Sequence, residues 1–260
     1  YCVNPSTNLQ ECLERGNSTV FFSATLLPVN YYKNLLSSKK DNYAVYADSA
    51  FKEEQRLLFI GRDVSSLYTR RTIGEFHRIA LYIQQVLRAK KGNYLIFFPS
   101  YRFMEDVYEQ FLAINEREAD CIMQNGNMNE AEREEFIQEF AEPREKSLAA
   151  FCVLGGIFSE GIDLKEDLLI GVLIVGTGLP QICTKREILK EYYQKENEQG
   201  FDYAYQYPGM NKVLQAAGRV IRTASDRGII GLLDERFLRS DYRQLFPREW
   251  SQYEVHTLDS

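Results

Sequence analysis

The chain has 260 residues, of which 45% are hydrophobic and 26% charged, and its formal net charge is −6 at neutral pH. This size allows one large α/β domain, or two small ones, with a sizeable core. The negative charge excludes a surface that attracts nucleic acid everywhere, but a local basic track remains possible because phosphate contacts need only a few well-placed donors.

The sequence gives no sign of a membrane segment, a secretion signal or a metal site. The most apolar run, Leu168 to Gly178, has the length of a buried strand, whereas a membrane helix needs roughly 20 apolar residues. The N-terminus lacks a basic stretch followed by an apolar one, so we expect a cytosolic protein without a membrane partner. The five cysteines are odd in number and never spaced as C-x-x-C, and there are only two histidines, which predicts reduced thiols and no metal.

Short apolar runs alternate along the chain with longer helical patterns. This alternation is typical of an α/β fold with a mainly parallel sheet and helices on both faces. The predicted strands are Thr19–Ser23, Leu57–Ile60, Tyr94–Phe98, Asp120–Met123, Ala149–Leu154, Gly171–Val175 and Gly228–Leu233. The predicted helices are Asn30–Ser37, Thr72–Lys90, Arg102–Asn115, Glu130–Phe140, Lys185–Glu198 and Asn211–Arg222.

A run of small and basic residues, Q-A-A-G-R-V-I-R, lies at Gln215–Arg222. In a helix, Gln215, Gly218, Arg219 and Arg222 would share one face, and Gly218 would let a ligand or backbone approach closely. Two guanidinium groups projecting together suit the stabilisation of charge on a phosphoryl group. The alternative is a solvated helix face with a surface salt bridge.

A glycine-containing segment, Gly155–Asp163, directly follows the predicted strand Ala149–Leu154. Glycines at the carboxyl edge of a strand permit tight turns whose N–H groups can face a phosphate, and Asp163 could accept a hydroxyl group or a cation. A plain strand–turn with aspartate as a cap is the alternative. A dinucleotide loop is disfavoured because the spacing differs from G-x-G-x-x-G.

Two weaker signals follow other predicted strands. Pro99-Ser100-Tyr101 comes after Tyr94–Phe98, where Ser100 can cap a helix and exposed N–H groups can receive a phosphate of nucleic acid. Ala24-Thr25-Leu26 comes after Thr19–Ser23. Taken singly, both are more typical of ordinary caps and turns.

Together, in this order, the four segments closely resemble motifs III, IV, V and VI of the DinG/XPD group of superfamily 2 helicases, with a bacterial DinG-like character. The matching segments are Ser23–Leu26, Phe97–Tyr101, Gly155–Asp163 and Gln215–Arg222, with further similarity at Asp226–Phe237 and Leu245–Trp250. The resemblance implies the second of two RecA-like motor domains, with ATP between the domains and single-stranded DNA crossing both.

The resemblance also implies roles for single residues. Arg219 and Arg222 would be the arginine finger and its companion at the γ-phosphate. The nucleotide-binding residues would be Gly161, Asp163, Gln215 and Gly218. The DNA contacts would come from Ser100, Tyr101, Ser159 and Glu160. Coupling between the two sites would fall to Ser23, Ala24 and Thr25.

Neither G-x-G-K-[ST] nor D-E-x-H, which the first domain carries in this family, occurs in the 260 residues. Phosphoryl transfer needs a phosphate cradle and Mg²⁺, which arginines cannot replace. We therefore predict that ATP and Mg²⁺ are held mainly by the other domain and that the isolated chain is inactive as an ATPase. We also expect the isolated chain to be a monomer, and the resemblance to DinG implies the bacterial cytosol.

The expected organisation is a lead-in at residues 1–18, a RecA-like domain at 19–240 with a helical insertion at about 181–210, and a packed tail at 241–260. Two alternatives stay open. One is a nucleotide- or protein-binding module of the same fold that drives no motor, and the other is a dinucleotide-dependent enzyme.

Overall fold

A computed structural model describes residues 2–159, 164, 168–223 and 225–259. The chain divides into two compact units. The smaller unit combines Tyr1–Asp48 with Leu179–Asn211, and the larger one combines Ser49–Gly178 with Lys212–Ser260.

The larger unit is built on a sheet of seven strands in the order β3-β4-β2-β5-β6-β1-β7, and all of the described strand pairs are parallel. The strands are β1 (Arg56–Gly61), β2 (Asn93–Phe98), β3 (Ala119–Met123), β4 (Ser147–Val153), β5 (Gly171–Val175), β6 (Gly228–Leu233) and β7 (Glu254–His256). The fold is therefore the α/β class with a parallel sheet that the sequence predicts.

The central strands are buried along almost their whole length. In β2 every residue after Asn93 is buried, and all of β5 is buried. Strands covered on both faces are continuous apolar runs, because neither face meets water. The aromatic rings of Phe98 and Phe151 stack with centroids 5.6 Å apart, which joins β2 to β4 in the core.

Helices cover this sheet and also form the smaller unit. The helices of Ser49–Gly178 are α3 (Ile73–Ala89), α4 (Tyr101–Ile114) and α5 (Glu130–Gln138). The remaining ones are α1 (Ser6–Leu13), α2 (Val29–Leu36), α6 (Thr184–Asn197), a π-helix (Asp202–Gln206), α7 (Tyr207–Ala217) and α8 (Ser240–Arg243). Short 3-10 turns lie at Glu53–Gln55, Tyr68–Arg70, Glu235–Leu238 and Arg248–Trp250.

The smaller unit is held together by tyrosine rings. Tyr31 makes edge-to-face contacts with Tyr203 and Tyr207 at 4.9 and 5.1 Å between centroids, and Tyr193 stacks on Tyr203 at 4.2 Å. Such aromatic pairs add to the stability that burial alone provides. Tyr193, Tyr203 and Tyr207, which lie in the predicted insertion, are therefore core residues of this unit.

Two of the predicted elements are wrong. Thr19–Ser23 forms no strand, and Val20 and Phe22 are 80% and 90% exposed. A strand is stabilised by a neighbouring ladder, and none of the described residues pairs with this segment. The helix predicted over Asn211–Arg222 begins earlier, at Tyr207, and ends at Ala217, so it excludes both arginines.

The domain limits stay predictions. Within the proposed tail, Tyr242, Leu245 and Trp250 are at most 5% exposed, and β7 pairs with β1. Strand β7 therefore extends the sheet of the larger unit.

Candidate functional site

Two of the predicted motifs, at Ser100 and at Gly155, follow strands that end at one edge of the sheet. Strands β2 and β4 run parallel in register, with Phe98 opposite Val153. Because carboxyl ends of parallel strands share one edge, Ser100 and the Gly155 turn both lie at this edge, where ligands bind in open α/β sheets.

The turn after β4 is closed by its own hydrogen bonds. Gly155 has a φ of +75°, which favours glycine, and the Gly156 N–H donates to the Val153 carbonyl. Ser159 is completely buried, and its hydroxyl donates to the Gly156 carbonyl at 2.7 Å. The Ser159 hydroxyl is thus used inside the turn, and its contact with DNA stays a prediction.

The rest of this motif, Glu160, Gly161 and Asp163, lies outside the described residues.

Arg219 packs onto this same turn. Its guanidinium donates from Nε and Nη2 to the Ser159 carbonyl at 3.2 and 2.8 Å. The residue lies in a turn just beyond α7, where the Gly218 N–H still donates to the Leu214 carbonyl at 2.9 Å. The structure therefore brings together two predicted motifs that are about 60 residues apart in the sequence.

The other residues of Gln215–Arg222 are not arranged as one helical face. Gln215 is half-buried in the last turn of α7, Gly218 is exposed just after the helix, and the Arg222 backbone is in a loop. A side chain added at Gly218 would come within 3.3 Å of the Leu214 carbonyl. Val220 is anchored instead against β6, because it fills the space where Gly228 has no side chain.

Asp226 fixes the loop that carries Arg222. Its Oδ2 accepts hydrogen bonds from the N–H groups of Arg222 and Thr223, both at 2.8 Å, and its Oδ1 accepts one from the Thr223 hydroxyl. Burial alone would raise the pKa of Asp226, but these hydrogen bonds outweigh it and hold the pKa below the ordinary aspartate value.

Replacing Asp226 with alanine is expected to lower the free energy of unfolding by about 1–2 kcal/mol at pH 7, because donors of the loop lose their acceptor. Since the folded pKa is lowered, the carboxylate stabilises the fold above the ordinary value of 3.8 and loses this effect as the pH falls below it. Urea unfolding at pH 7 and at pH 3 should therefore show a smaller difference between wild type and variant at pH 3. Asp41→Ala, at an exposed position, serves as the control, and a difference that grows on acidification would contradict the prediction.

At the end of β2, Ser100 and Tyr101 begin α4. The Ser100 hydroxyl oxygen accepts a hydrogen bond from the Phe103 N–H at 3.3 Å, which makes Ser100 the N-cap. Gln124, which the sequence did not single out, donates from Nε2 to the Tyr101 hydroxyl at 2.9 Å, and its Oε1 accepts from the Val153 N–H at 2.9 Å. Gln124 thus links the start of α4 to the end of β4.

Residues 83–253 match the family model described as the helicase C-terminal domain. The chain belongs to this family. The match covers the strands β2 to β6 and both of the motifs that meet at Arg219 and Ser159.

Several curated proteins are similar to this helicase C-terminal domain. The ATP-dependent DNA helicase XPD of Sulfolobus acidocaldarius is 28% identical over 85% of the chain and 39% of that protein. The regulator of telomere elongation helicase 1 of Mus spretus is 26% identical, covering 95% of the chain and 22% of that protein. The 3'-5' exonuclease DinG of Staphylococcus saprophyticus is 26% identical, and the match covers 94% of the chain and 26% of that protein. The chain therefore spans less than half the length of these relatives.

Solved structures show the same fold. One XPD helicase structure has a TM-score of 0.70 at 23% identity and covers 90% of this chain and 42% of its own. A structure of XPD without ligand has a TM-score of 0.63 at 24% identity, and the match covers 78% of this chain and 40% of that one. These likenesses establish the fold of a RecA-like helicase domain.

The helicase C-terminal domain also has a buried ionic cluster after β6 that sequence patterns did not reveal as a site. Asp234 is completely buried, and its Oδ2 accepts from the Ser66 N–H at 2.8 Å and from Arg236 Nη2 at 2.7 Å. Gly176 permits this packing, because a side chain at its φ of +84° would collide with Ser66. In the sequence, only the resemblance to the helicase family marks the D-E-R-F segment at residues 234–237.

The predicted coupling residues lie in the smaller unit. The Ser23 hydroxyl oxygen accepts from the Thr25 N–H at 3.2 Å, so Ser23, Ala24 and Thr25 form a hydroxyl-closed turn. Their coupling role stays a prediction.

Within the described ranges, no three His, Cys, Asp or Glu residues are grouped so that they could hold a metal ion. Along the same part of the chain, every helix is too short or too polar to cross a membrane.

Proposed function

We propose that this chain is the second motor domain of an ATP-dependent DNA helicase, which couples ATP hydrolysis to 5'–3' translocation on single-stranded DNA and to duplex unwinding. The observation that carries the proposal is the position of Arg219, whose guanidinium lies on the glycine turn after β4 at the carboxyl edge of the sheet. Membership of the helicase C-terminal domain family supports it.

Arg219 is the proposed arginine finger. Its guanidinium is planar and permanently charged, and it can donate two parallel hydrogen bonds to phosphate oxygens. Because this guanidinium lies on the turn after β4 at the carboxyl edge, we assign it to the γ-phosphate of a nucleotide bound there. Arg222 is the proposed companion, and the proposed nucleotide contacts are Gly161, Asp163, Gln215 and Gly218.

The DNA contacts are proposed at Ser100, Tyr101, Ser159 and Glu160. Helix α4 begins at this edge with Ser100 as its cap, and helix N-termini favour phosphate because their N–H groups point outward. Ser159 is buried, so its contribution would be the shape of the turn that presents its neighbours.

The proposed partner is the first RecA-like domain of the same protein, with Ser23, Ala24 and Thr25 transmitting the state of one site to the other. Phosphoryl transfer also requires Mg²⁺ and a phosphate cradle. Because the 260 residues contain neither G-x-G-K-[ST] nor D-E-x-H, we assign both to the partner domain.

The proposal is tested by comparing the 260-residue chain with the full-length protein in a steady-state ATPase assay, with and without single-stranded DNA. We expect no hydrolysis above background from the chain alone, and DNA-stimulated hydrolysis from the full-length protein. Unwinding of a duplex with a 5' single-stranded tail, but not of one with a 3' tail, would support the direction. Hydrolysis by the isolated chain, or a full-length protein that DNA does not stimulate, would contradict the proposal.

A further inference from the structure

The segment between β1 and α3 exposes an aromatic ring beside an arginine. Tyr68 is 83% exposed in the 3-10 turn Tyr68–Arg70. The Arg71 guanidinium carbon lies 5.5 Å from the centroid of the Tyr68 ring and 5.1 Å from that of the Phe103 ring. Since the segment follows the end of β1, this pair lies at the same carboxyl edge as the proposed sites.

Arg71 differs from the arginines around it in its electrostatic partners. Arg70 pairs with Glu75 and Glu235, and Arg78 also pairs with Glu75. Arg71 donates from Nε to the Ser66 carbonyl at 3.3 Å, and no carboxylate of the described residues forms a salt bridge with it. Its positive charge is therefore not neutralised locally, and it is an exposed residue.

The Tyr68–Arg71 pair adjoins the start of α4. The Phe103 ring contacts Arg71, and the Phe103 N–H is the group that the Ser100 hydroxyl oxygen caps. An exposed ring, an unneutralised guanidinium and a helix N-terminus thus lie side by side. The ring suits a base, and the other two groups suit phosphates.

We infer that Tyr68 is a stacking platform for a base of single-stranded DNA, that Arg71 holds its ring in place, and that Arg71 also contacts the adjacent phosphate. The inference rests on the proposed function and adds to it a base contact outside the four predicted motifs. One ring face is covered by Arg71, so a base would stack on the other. Stacking of this kind tolerates any sequence, as a translocating motor requires.

The test measures binding of the full-length protein to a labelled oligo(dT) and to an abasic oligonucleotide of the same length. Tyr68→Ala should weaken oligo(dT) binding roughly tenfold, because a stacked base is lost, and should leave abasic binding unchanged. Tyr68→Phe should bind like the wild type, because it keeps the ring. Tyr43→Ala is the matched control, since Tyr43 is 97% exposed but lies in the smaller unit.

Arg71→Gln should weaken binding to both oligonucleotides and make it less dependent on salt, because a phosphate contact is lost. Lys91→Gln is the charge control, since the exposed Lys91 precedes β2 at the opposite, amino edge of the sheet.

Unchanged oligo(dT) binding by Tyr68→Ala would overturn the stacking contact. An equal loss of binding to both oligonucleotides would also overturn it, because the effect of Tyr68 would then not depend on a base. In either case the wild type would still bind DNA and hydrolyse ATP, and the motor proposal would stand. A wild type that neither binds DNA nor shows DNA-stimulated hydrolysis would instead overturn the proposed function itself.

Discussion

Replacing Arg219 with alanine in the full-length protein is expected to lower the kcat of DNA-stimulated ATP hydrolysis by about 10³, the scale seen for arginine fingers. The guanidinium lies at the carboxyl edge of the sheet on the turn after β4, and there it would stabilise the charge that develops on the transferred phosphoryl group. Because this charge is greatest in the transition state, kcat should fall far more than the affinity for ATP.

Two further variants make this prediction specific. Arg219→Lys should remain strongly impaired, because an ammonium keeps the charge but lacks the planar fork of a guanidinium. Arg133→Ala, which removes an exposed arginine of α5, should have normal turnover. Near-normal kcat in Arg219→Ala would refute the assignment, and an unchanged melting temperature would show that a loss of activity is not a loss of fold.

Replacing Arg236 with alanine is expected to lower the free energy of unfolding by about 3–5 kcal/mol, because the completely buried Asp234 carboxylate loses its cationic partner. Arg236 contacts this carboxylate from Nε at 2.8 Å and from Nη2 at 2.7 Å, and its Nη2 also donates to the Ser66 hydroxyl oxygen at 2.7 Å. Urea denaturation of the 260-residue chain measures the effect.

The same turn provides the control. Arg239 pairs with Asp241, but its side chain is 62% exposed, so Arg239→Ala should cost no more than about 1 kcal/mol. The double variant Asp234→Asn with Arg236→Met should be more stable than Arg236→Ala, because it leaves no unpaired charge in the protein interior. Equal urea midpoints for Arg236→Ala and Arg239→Ala would show that the buried pair does not stabilise the fold.

Local sequence was sufficient for elements whose stability depends mainly on burying their own residues. Gly171–Val175 is a strand, as predicted, because a short apolar run between longer helical patterns favours a strand buried on both faces. The helix α3 was predicted because its apolar residues recur on one face and Thr72 caps its first turn. Four short motifs in a fixed order were sufficient to indicate the helicase family, which the family model confirms.

Local sequence failed where a distant partner decides the conformation. The pattern at Gln215–Arg222 is compatible with a helix, but Gly218 leaves it, Val220 fits against Gly228 of β6, and Asp226 binds the N–H of Arg222. Together these contacts favour the loop over further helical turns. The apolar Thr19–Ser23 similarly favours a strand, but a strand needs a neighbour, and the described residues provide none.

The sequence by itself therefore determined the fold class, most of the central strands and helices, and the family, because these depend on periodicity and on residue types at fixed spacing. Only the tertiary structure decided which groups meet. It placed Arg219 on Ser159, linked Tyr101 to β4 through Gln124, and brought Arg71 between the rings of Tyr68 and Phe103. Except for Arg71 and Tyr68, these contacts join residues far apart in the chain, and they depend on strand order and register, which no local pattern contains.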